Sequence, residues 1–302
     1  MAVNIKQLEA FVQVADLRSF RRAAAILNTT QPNISARISG LESRLGVRLM
    51  HRDAGSVQLT PKGETLLAHA RQVLRSLDDF LVAAEDDTLF DGVLRLGVTE
   101  MIVHSWLGPY LKILRDRYPN VLVELTVDYS LNLSDALFNR ALDLALQSGP
   151  FNRQTSGAVD LGRYPMVFVA SPSLGLSDVH SLGDIAGHPI LTHARGTLPH
   201  EQLSHHIAGQ TGHSVRLVPS TNMAACLQMT IDGLGIACLP QAMVQRELRD
   251  RTLVRLGYRW VPDDLAFQAR YDADTAPSFV AQAARVAGDV AAEFQADSDH
   301  KS

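Results

Sequence analysis

The sequence predicts an α/β chain in three parts: a small helical head closed by a β-hairpin, one long connecting helix, and a two-lobed body. Three observations predict it. Apolar residues recur at helical spacing from residue 5 to about residue 45 and then alternate with a period of two around a short turn. From 61 to about 88 helical spacing continues with no breaker except Gly63. Beyond residue 91, strand-length apolar runs alternate with helical patterns, which implies β-α units and a parallel sheet.

The first helix begins near Ile5, where Leu8, Phe11, Val12 and Ala15 share one face. Ser19 offers an N-cap to a short second helix, Phe20 to Leu27, which ends at Asn28, a residue that tolerates the left-handed region. Its alanines permit the close packing that a helix-turn-helix corner needs. Thr30 as N-cap and Pro32 in the first turn start a third helix, with Ile34, Ile38, Leu41 and Leu45 as its buried stripe. Gln31, Asn33, Arg37, Gly40 and Arg44 fall beside or opposite that stripe, and Ala36 and Ser39 keep the outer face shallow. Such a face suits a major groove: an amide pairs with adenine, an arginine with guanine, and small residues let the helix sink in. The same pattern also fits a plain solvated helix face. The stretches 48–52 and 56–59 then alternate around Asp53-Ala54-Gly55 as a hairpin wing, with Arg52 near the tip.

Charge supports the division. Net charge is −4 over 302 residues, but residues 1–75 hold eleven Lys/Arg against five acids, a net of +6 that leaves −10 for the rest. A basic head on an acidic body is expected where one end meets phosphate.

Thr60 and Pro61 cap the connecting helix. Leu66, Ala70, Val73, Leu77, Phe80 and Ala84 alternate spacings of four and three, and Leu67, Leu74 and Leu81 repeat every seven. So wide an apolar seam needs a partner, either the chain's own body or a second copy. Asp86-Asp87 closes the segment and Asp91-Gly92 marks a hinge.

In the body, strands are expected at 93–98, 121–127 and 142–146, with a helix after Thr99-Glu100 that runs through Leu107 to Arg117 and another from Leu133 to Arg140. A second series has strands at 166–170, near 190–192, 215–218 and 236–239, before a return through 267–271 and a last helix from Pro277 to Phe294.

Ala23-Ala24, the run Thr30-Gln31-Pro32-Asn33-Ile34-Ser35, then Ile38, Leu41-Glu42, Leu45-Gly46, Leu49, Arg52 and Leu59-Thr60-Pro61-Lys62-Gly63 together resemble the signature of LysR-type transcriptional regulators, ungapped over about sixty residues. His51 departs from it, where Phe is usual. The resemblance implies a winged helix-turn-helix at 1–60, a linker and dimerisation helix at 61–90, and a bilobal effector domain at 91–302 similar to periplasmic solute-binding proteins. Lobe 1 would be about 91–164 with 266–302, and lobe 2 about 165–265. It implies that Gln31, Pro32, Asn33, Ser35 and Arg37 face double-stranded DNA, with Arg52 and Lys62 supporting backbone contacts. It also implies pairing of two connecting helices in a homodimer, extended to a homotetramer.

Ligands of open parallel sheets lie beyond the carboxyl ends of the strands. A small-molecule effector should therefore meet Thr99, Met101, Ser130, Gln147, Ser148, His193, Asn222 and Met223, which together match the family's effector positions. Glu100 is a departure, since it stands at a helix start where relatives leave room for an anion; only His193 and Arg195 could neutralise one.

Other signals carry less. In His200-Glu201-Gln202-Leu203-Ser204-His205-His206 the histidines stand five and six apart, whereas a zinc-protease helix needs four. Gly233-Leu234-Gly235 lacks the third small residue of a dinucleotide loop. No nucleophile elbow or phosphate loop occurs. Cys226 and Cys238 are too few for a disulfide framework. No catalytic or metal site and no cofactor is expected. The chain reads as a cytoplasmic protein with no membrane span and no signal peptide. A nucleoid-architectural protein without a ligand is the alternative to a ligand-responsive regulator, and a bilobal enzyme or solute-binding protein would need a catalytic constellation or a leader.

Overall fold

The computed structural model describes residues 3–53, 56–83, 90, 92–176, 179, 181–209 and 215–299. Met1–Asp91 with Asp272–Ala281 form one compact unit, and Gly92–Tyr271 with Gln282–Ser302 another.

In the first unit, α1 (Ile5–Leu17) opens with a capping box in which Asn4 and Gln7 satisfy each other's backbone amides. Helix α2 (Phe20–Ile26) is capped by the Ser19 hydroxyl, which accepts from Arg22 N at 3.2 Å, and Asn28 follows at φ 46°. Helix α3 (Gln31–Leu45) starts after Thr30, whose side chain makes no cap bond. Ala10, Phe11, Val14, Ala23, Ala24, Ile34, Ile38 and Leu41 form the core beneath these helices. Leu45, expected in that stripe, is 40% exposed. The helix stops there, and Gly46 at φ 67° turns the chain before a fourth apolar position can reach the core.

The hairpin pairs β1 (Met50–Asp53) with β2 (Ser56–Leu59), and His51 is exposed. Glu42 of α3 accepts from Leu49 N (2.8 Å) and Met50 N (3.3 Å), tying hairpin to helix. Thr60 then caps α4 (Pro61–Ala83): its hydroxyl donates to Arg48 O at 2.7 Å and accepts from Gly63 N at 2.9 Å. Gly63 is required, because a Cβ there would lie 2.1 Å from the Leu49 carbonyl oxygen.

The expectation of one continuous partner-seeking seam on this helix needs correction. Leu66, Leu67, Ala70 and Leu74 pack on the core of their own head. Val73 (46%) and Phe80 (68%) remain exposed. A helix has room for two apolar faces, and this one divides its seam between them. Ala84, Asp86, Asp87, Asp91 and the side chain of Leu81 lie outside the described residues.

The second unit runs β3 (Gly92–Val98), α5 (Glu100–Val103), α6 (Leu107–Arg117), β4 (Val121–Val127), α7 (Ser130–Phe138), β5 (Leu144–Ser148) and β6 (Gly157–Tyr164). A second lobe follows with β7 (Met166–Ala170), α8 (Leu182–Ile185), β8 (Ile190–His193), α9 (Leu198–Ala208), β9 (Leu217–Ser220), α10 (Met223–Ile231), β10 (Ile236–Pro240), α11 (Gln241–Arg249) and β11 (Val254–Arg255). The chain returns in β12 (Leu265–Tyr271) and ends in α12 (Ser278–Asp299). The first sheet has the order β4-β3-β5-β12-β6, the second β11-β7-β10-β8-β9.

Both sheets are mixed, which corrects the parallel expectation. Strands β3, β4 and β5 are mutually parallel, but β12 runs antiparallel to β5 and β6. In the second lobe β8, β9 and β10 are parallel and β7 is antiparallel to β10. Helices between strands enforce parallel pairing; the crossovers enter each sheet as a plain strand, and nothing obliges that strand to run parallel.

Two local assignments also shift. Ser130 begins α7 instead of lying in a loop, and Gln147 and Ser148 are the last residues of β5 instead of following it. The Arg95 guanidinium grips Asp143, which precedes β5, through Nε at 3.0 Å and a second nitrogen at 2.6 Å, fixing β3 against β5. Trp106 Nε1 donates to Tyr164 Oη at 2.8 Å and so seats the start of α6.

Candidate functional site

In the head, the outer side of α3 presents Gln31, Pro32 and Asn33 exposed, with Ser35 and Arg37 half-buried along the same helix. Ala36 and Ser39 between them are exposed and small. Asn33 Nδ2 donates to Thr29 Oγ1 at 3.2 Å, which orients its amide at the helix start. Lys62 is exposed in the first turn of α4. The backbone of Arg52 pairs with Val57 in the hairpin, while its side chain lies outside the described residues.

In the body, the two lobes meet where the carboxyl ends of their strands converge, and among the described residues hydrogen bonds of Glu100 and Tyr129 cross between them. Glu100, at the start of α5, accepts the backbone N–H of Met223 at the start of α10 at 2.5 Å. Tyr129 Oη donates to Thr221 O at 2.7 Å. Thr99 precedes α5, and its hydroxyl is buried without a hydrogen-bond partner. On the adjacent strand Gln147 is fully buried; Nε2 donates to Ser134 Oγ at 3.1 Å and Oε1 has no partner. Ser148 N donates to Ser130 Oγ at 3.0 Å, and the two hydroxyls lie 3.0 Å apart.

From the second lobe come Thr192 and His193, which end β8. Thr192 Oγ1 and His193 Nδ1 are buried and unpartnered. Burial holds the His193 imidazole neutral and lowers its pKa to about 4. Asn222 caps α10, its side chain accepting from Ala225 N at 2.6 Å. Met101 and Met223 are buried, at 4% and 8% exposure. The strands therefore bring Thr99, Gln147, Ser148 and Ser130 together in one lobe, and His193, Asn222 and Met223 in the other.

Sequence reasoning missed Thr192 and the two crossing bonds. Thr192 was legible as the residue before His193 on a strand ending in the cleft. Tyr129 carries no signal, because its partner is a backbone carbonyl 92 positions away.

Other features of the sequence resolve as structure. Gly233 turns the chain from α10 to β10 at φ 76°. Cys226 and Cys238 are buried thiols, and burial raises the pKa of both. Among the described residues no group of three His, Cys, Asp or Glu could hold a metal ion, and no helix is long and apolar enough to cross a membrane.

A winged helix-turn-helix joined by one long helix to a two-lobed α/β body defines a class of DNA-binding regulators with an attached ligand domain. The chain belongs to the LysR family: residues 5–64 match the family model described as "Bacterial regulatory helix-turn-helix protein, lysR family", and residues 88–286 match "LysR substrate binding domain". It is 33% identical to a "Probable hydrogen peroxide-inducible genes activator" of Streptomyces viridosporus, over 81% of this chain and 80% of that protein. Its fold is similar to full-length LysG of Corynebacterium glutamicum "with bound effector Arg" (TM-score 0.59, 19% identity, 96% of this chain and 98% of that one). It is also similar to full-length CbnR complexed with its target DNA (TM-score 0.52, 20% identity, 95% and 99%).

Proposed function

We propose that the chain is a transcriptional regulator whose head reads DNA through Gln31, Asn33 and Arg37, and whose output is set by a small molecule bound between the lobes of its body. The observation that carries this reading is the cleft. Four buried polar atoms at the strand ends lack partners there: Thr99 Oγ1, Gln147 Oε1, Thr192 Oγ1 and His193 Nδ1. A buried unpaired polar atom costs about 1–3 kcal/mol, so a group of them is the mark of a polar ligand site. The chain thus acts by binding and not by catalysis, in the cytoplasm where its DNA is.

The DNA reading rests on the exposed, shallow face of α3, with Pro32 and Ser35 beside the reading residues and Arg52 and Lys62 serving phosphate. CbnR, the relative captured on its target DNA, shares this architecture. The dimer is built on the exposed face of α4 around Val73 and Phe80. The edge strand β4, with Leu125 and Val127 exposed on one face, offers a further apolar surface for the tetramer.

The name of the peroxide-responsive relative suggests thiol chemistry, but the thiols here argue against it. The thiolate is the form that reacts, and both cysteines are buried with raised pKa.

Thr99→Val tests the cleft, since it removes a hydroxyl at nearly constant volume. A metabolite that stabilises the wild-type protein in a thermal-shift screen should lose most of its effect in Thr99→Val and in His193→Ala, with DNA affinity in its absence unchanged. Equal shifts in all three proteins would place the ligand elsewhere.

A further inference from the structure

The cleft carries an acid at the start of α5, where a helix start would otherwise attract an anion. The first-turn amides of a helix carry partial positive charge, and Glu100 Oε2 already accepts the Met223 amide of α10. Oε1 of the same carboxylate has no hydrogen-bond partner among the described residues, and no basic side chain of those residues forms an ion pair with it. The His193 imidazole is neutral, as above. Arg195 is exposed to solvent. The buried guanidinium of Arg270 is turned to Ser134 Oγ, the Arg153 carbonyl and the Phe151 ring. Asp128, at the carboxyl end of β4, accepts from Tyr129 N and Asn132 Nδ2 and adds a second acid to the strand ends of the first lobe.

Of the unpartnered atoms, Gln147 Oε1 only accepts, while the two threonine hydroxyls and the neutral imidazole nitrogen can each serve as acceptor or donor. An ammonium or guanidinium group offers only donors, three or five of them, and so matches a carboxylate flanked by acceptors. A carboxylate ligand would stand beside Glu100 with like charge and find the α10 amide taken.

We infer that Glu100 is the specificity-determining residue of the cleft: the effector is a small molecule bearing an ammonium or guanidinium group, and carboxylates are refused. This deepens the regulator reading and rests on it.

The test uses the full chain and two sets of probes, the amines putrescine, agmatine and benzylamine and the carboxylates benzoate, succinate and citrate, followed by thermal shift and calorimetry. At least one amine should stabilise the wild-type protein. Its affinity should weaken tenfold or more in Glu100→Gln, and Glu100→Ser should gain a response to a carboxylate. Within the wild-type protein, the hydroxyl analogue of the hit, such as benzyl alcohol for benzylamine, should bind at least tenfold more weakly. That comparison stands even if a Glu100 variant fails to fold. A carboxylate that stabilises the wild-type protein, or amine binding unchanged in Glu100→Gln, overturns the charge selection and leaves the regulator reading standing. No stabilisation by any of the amines overturns the charge selection, while the regulator reading stands or falls on the metabolite screen and DNA binding.

Discussion

The guanidinium of Arg71, on the connecting helix, forms an ion pair with the Asp16 carboxylate near the end of α1. Asp16 is only 3% exposed and Arg71 28%. This pair, with the packing of Leu66, Ala70 and Leu74, makes the connecting helix part of the head's own core. Arg71→Ala leaves a buried carboxylate short of its cation and should destabilise the head by about 1–3 kcal/mol. The head's thermal transition, followed by circular dichroism, should fall accordingly, and Arg71→Ala/Asp16→Asn should recover part of the loss. An unshifted transition in Arg71→Ala would show the pair to be without weight.

The two kinds of DNA contact proposed above should separate by salt and sequence. If Asn33 reads base edges as proposed, Asn33→Ala should cost about 1–3 kcal/mol at the cognate site and little on random DNA. Lys62→Ala should weaken both DNAs alike and flatten the salt dependence by about one unit. Fluorescence anisotropy across a salt series measures both, and equal losses on the two DNAs for Asn33→Ala would refute base reading.

Self-association should depend on the exposed side of α4. Val73→Glu with Phe80→Glu places charge at an apolar contact without touching the head's core, so dimers should weaken at least tenfold while the head stays folded. Leu74→Glu should behave differently and destabilise the head itself, because Leu74 packs there. Analytical ultracentrifugation showing an unchanged oligomer for the Val73/Phe80 pair would remove α4 as the interface.

His193 makes the body sensitive to acid. Its pKa is about 4 in the folded protein against about 6.5 for the free side chain. Between those values the unfolded chain takes up a proton that the folded one refuses, so stability is whole above pH 6.5 and falls by about 3 kcal/mol on the way to pH 4. Calorimetry should show that His193→Asn loses less stability than the wild-type protein between pH 7 and pH 4.5. Parallel losses in the two proteins would mean the ring is charged in the fold.

By itself the sequence determined the elements whose signals are local. Helical spacing from Ile5 and the Ser19 cap specify the first two helices of the head. The Thr60-Pro61 pair with Gly63 specifies the start of α4, and the strand at 121–127 falls where period and length place it. The motif around Gln31, Pro32 and Asn33 was legible because a short helix face lies on consecutive turns of one segment. The residues proposed to meet an effector could be placed only as strand ends, since the carboxyl end of a parallel strand is fixed by chain direction alone.

What only the tertiary structure decided concerns pairing over long separations. Nothing local says whether a crossover strand enters its sheet parallel or antiparallel, so the direction of β12 and β7 waited on the fold. An apolar seam does not say which of its residues meet the chain's own core, and the structure gave Leu66, Ala70 and Leu74 to the head while leaving Val73 and Phe80 outside. Glu100 was visible in the sequence as an acid at a helix start. That its carboxylate crosses to the amide of Met223, 123 positions along the chain, depends on how the two lobes close on each other. Hydrogen bonds act over about 3 Å and carry no trace of the intervening chain, which is why the charge of this cleft became an argument only once both lobes were in place.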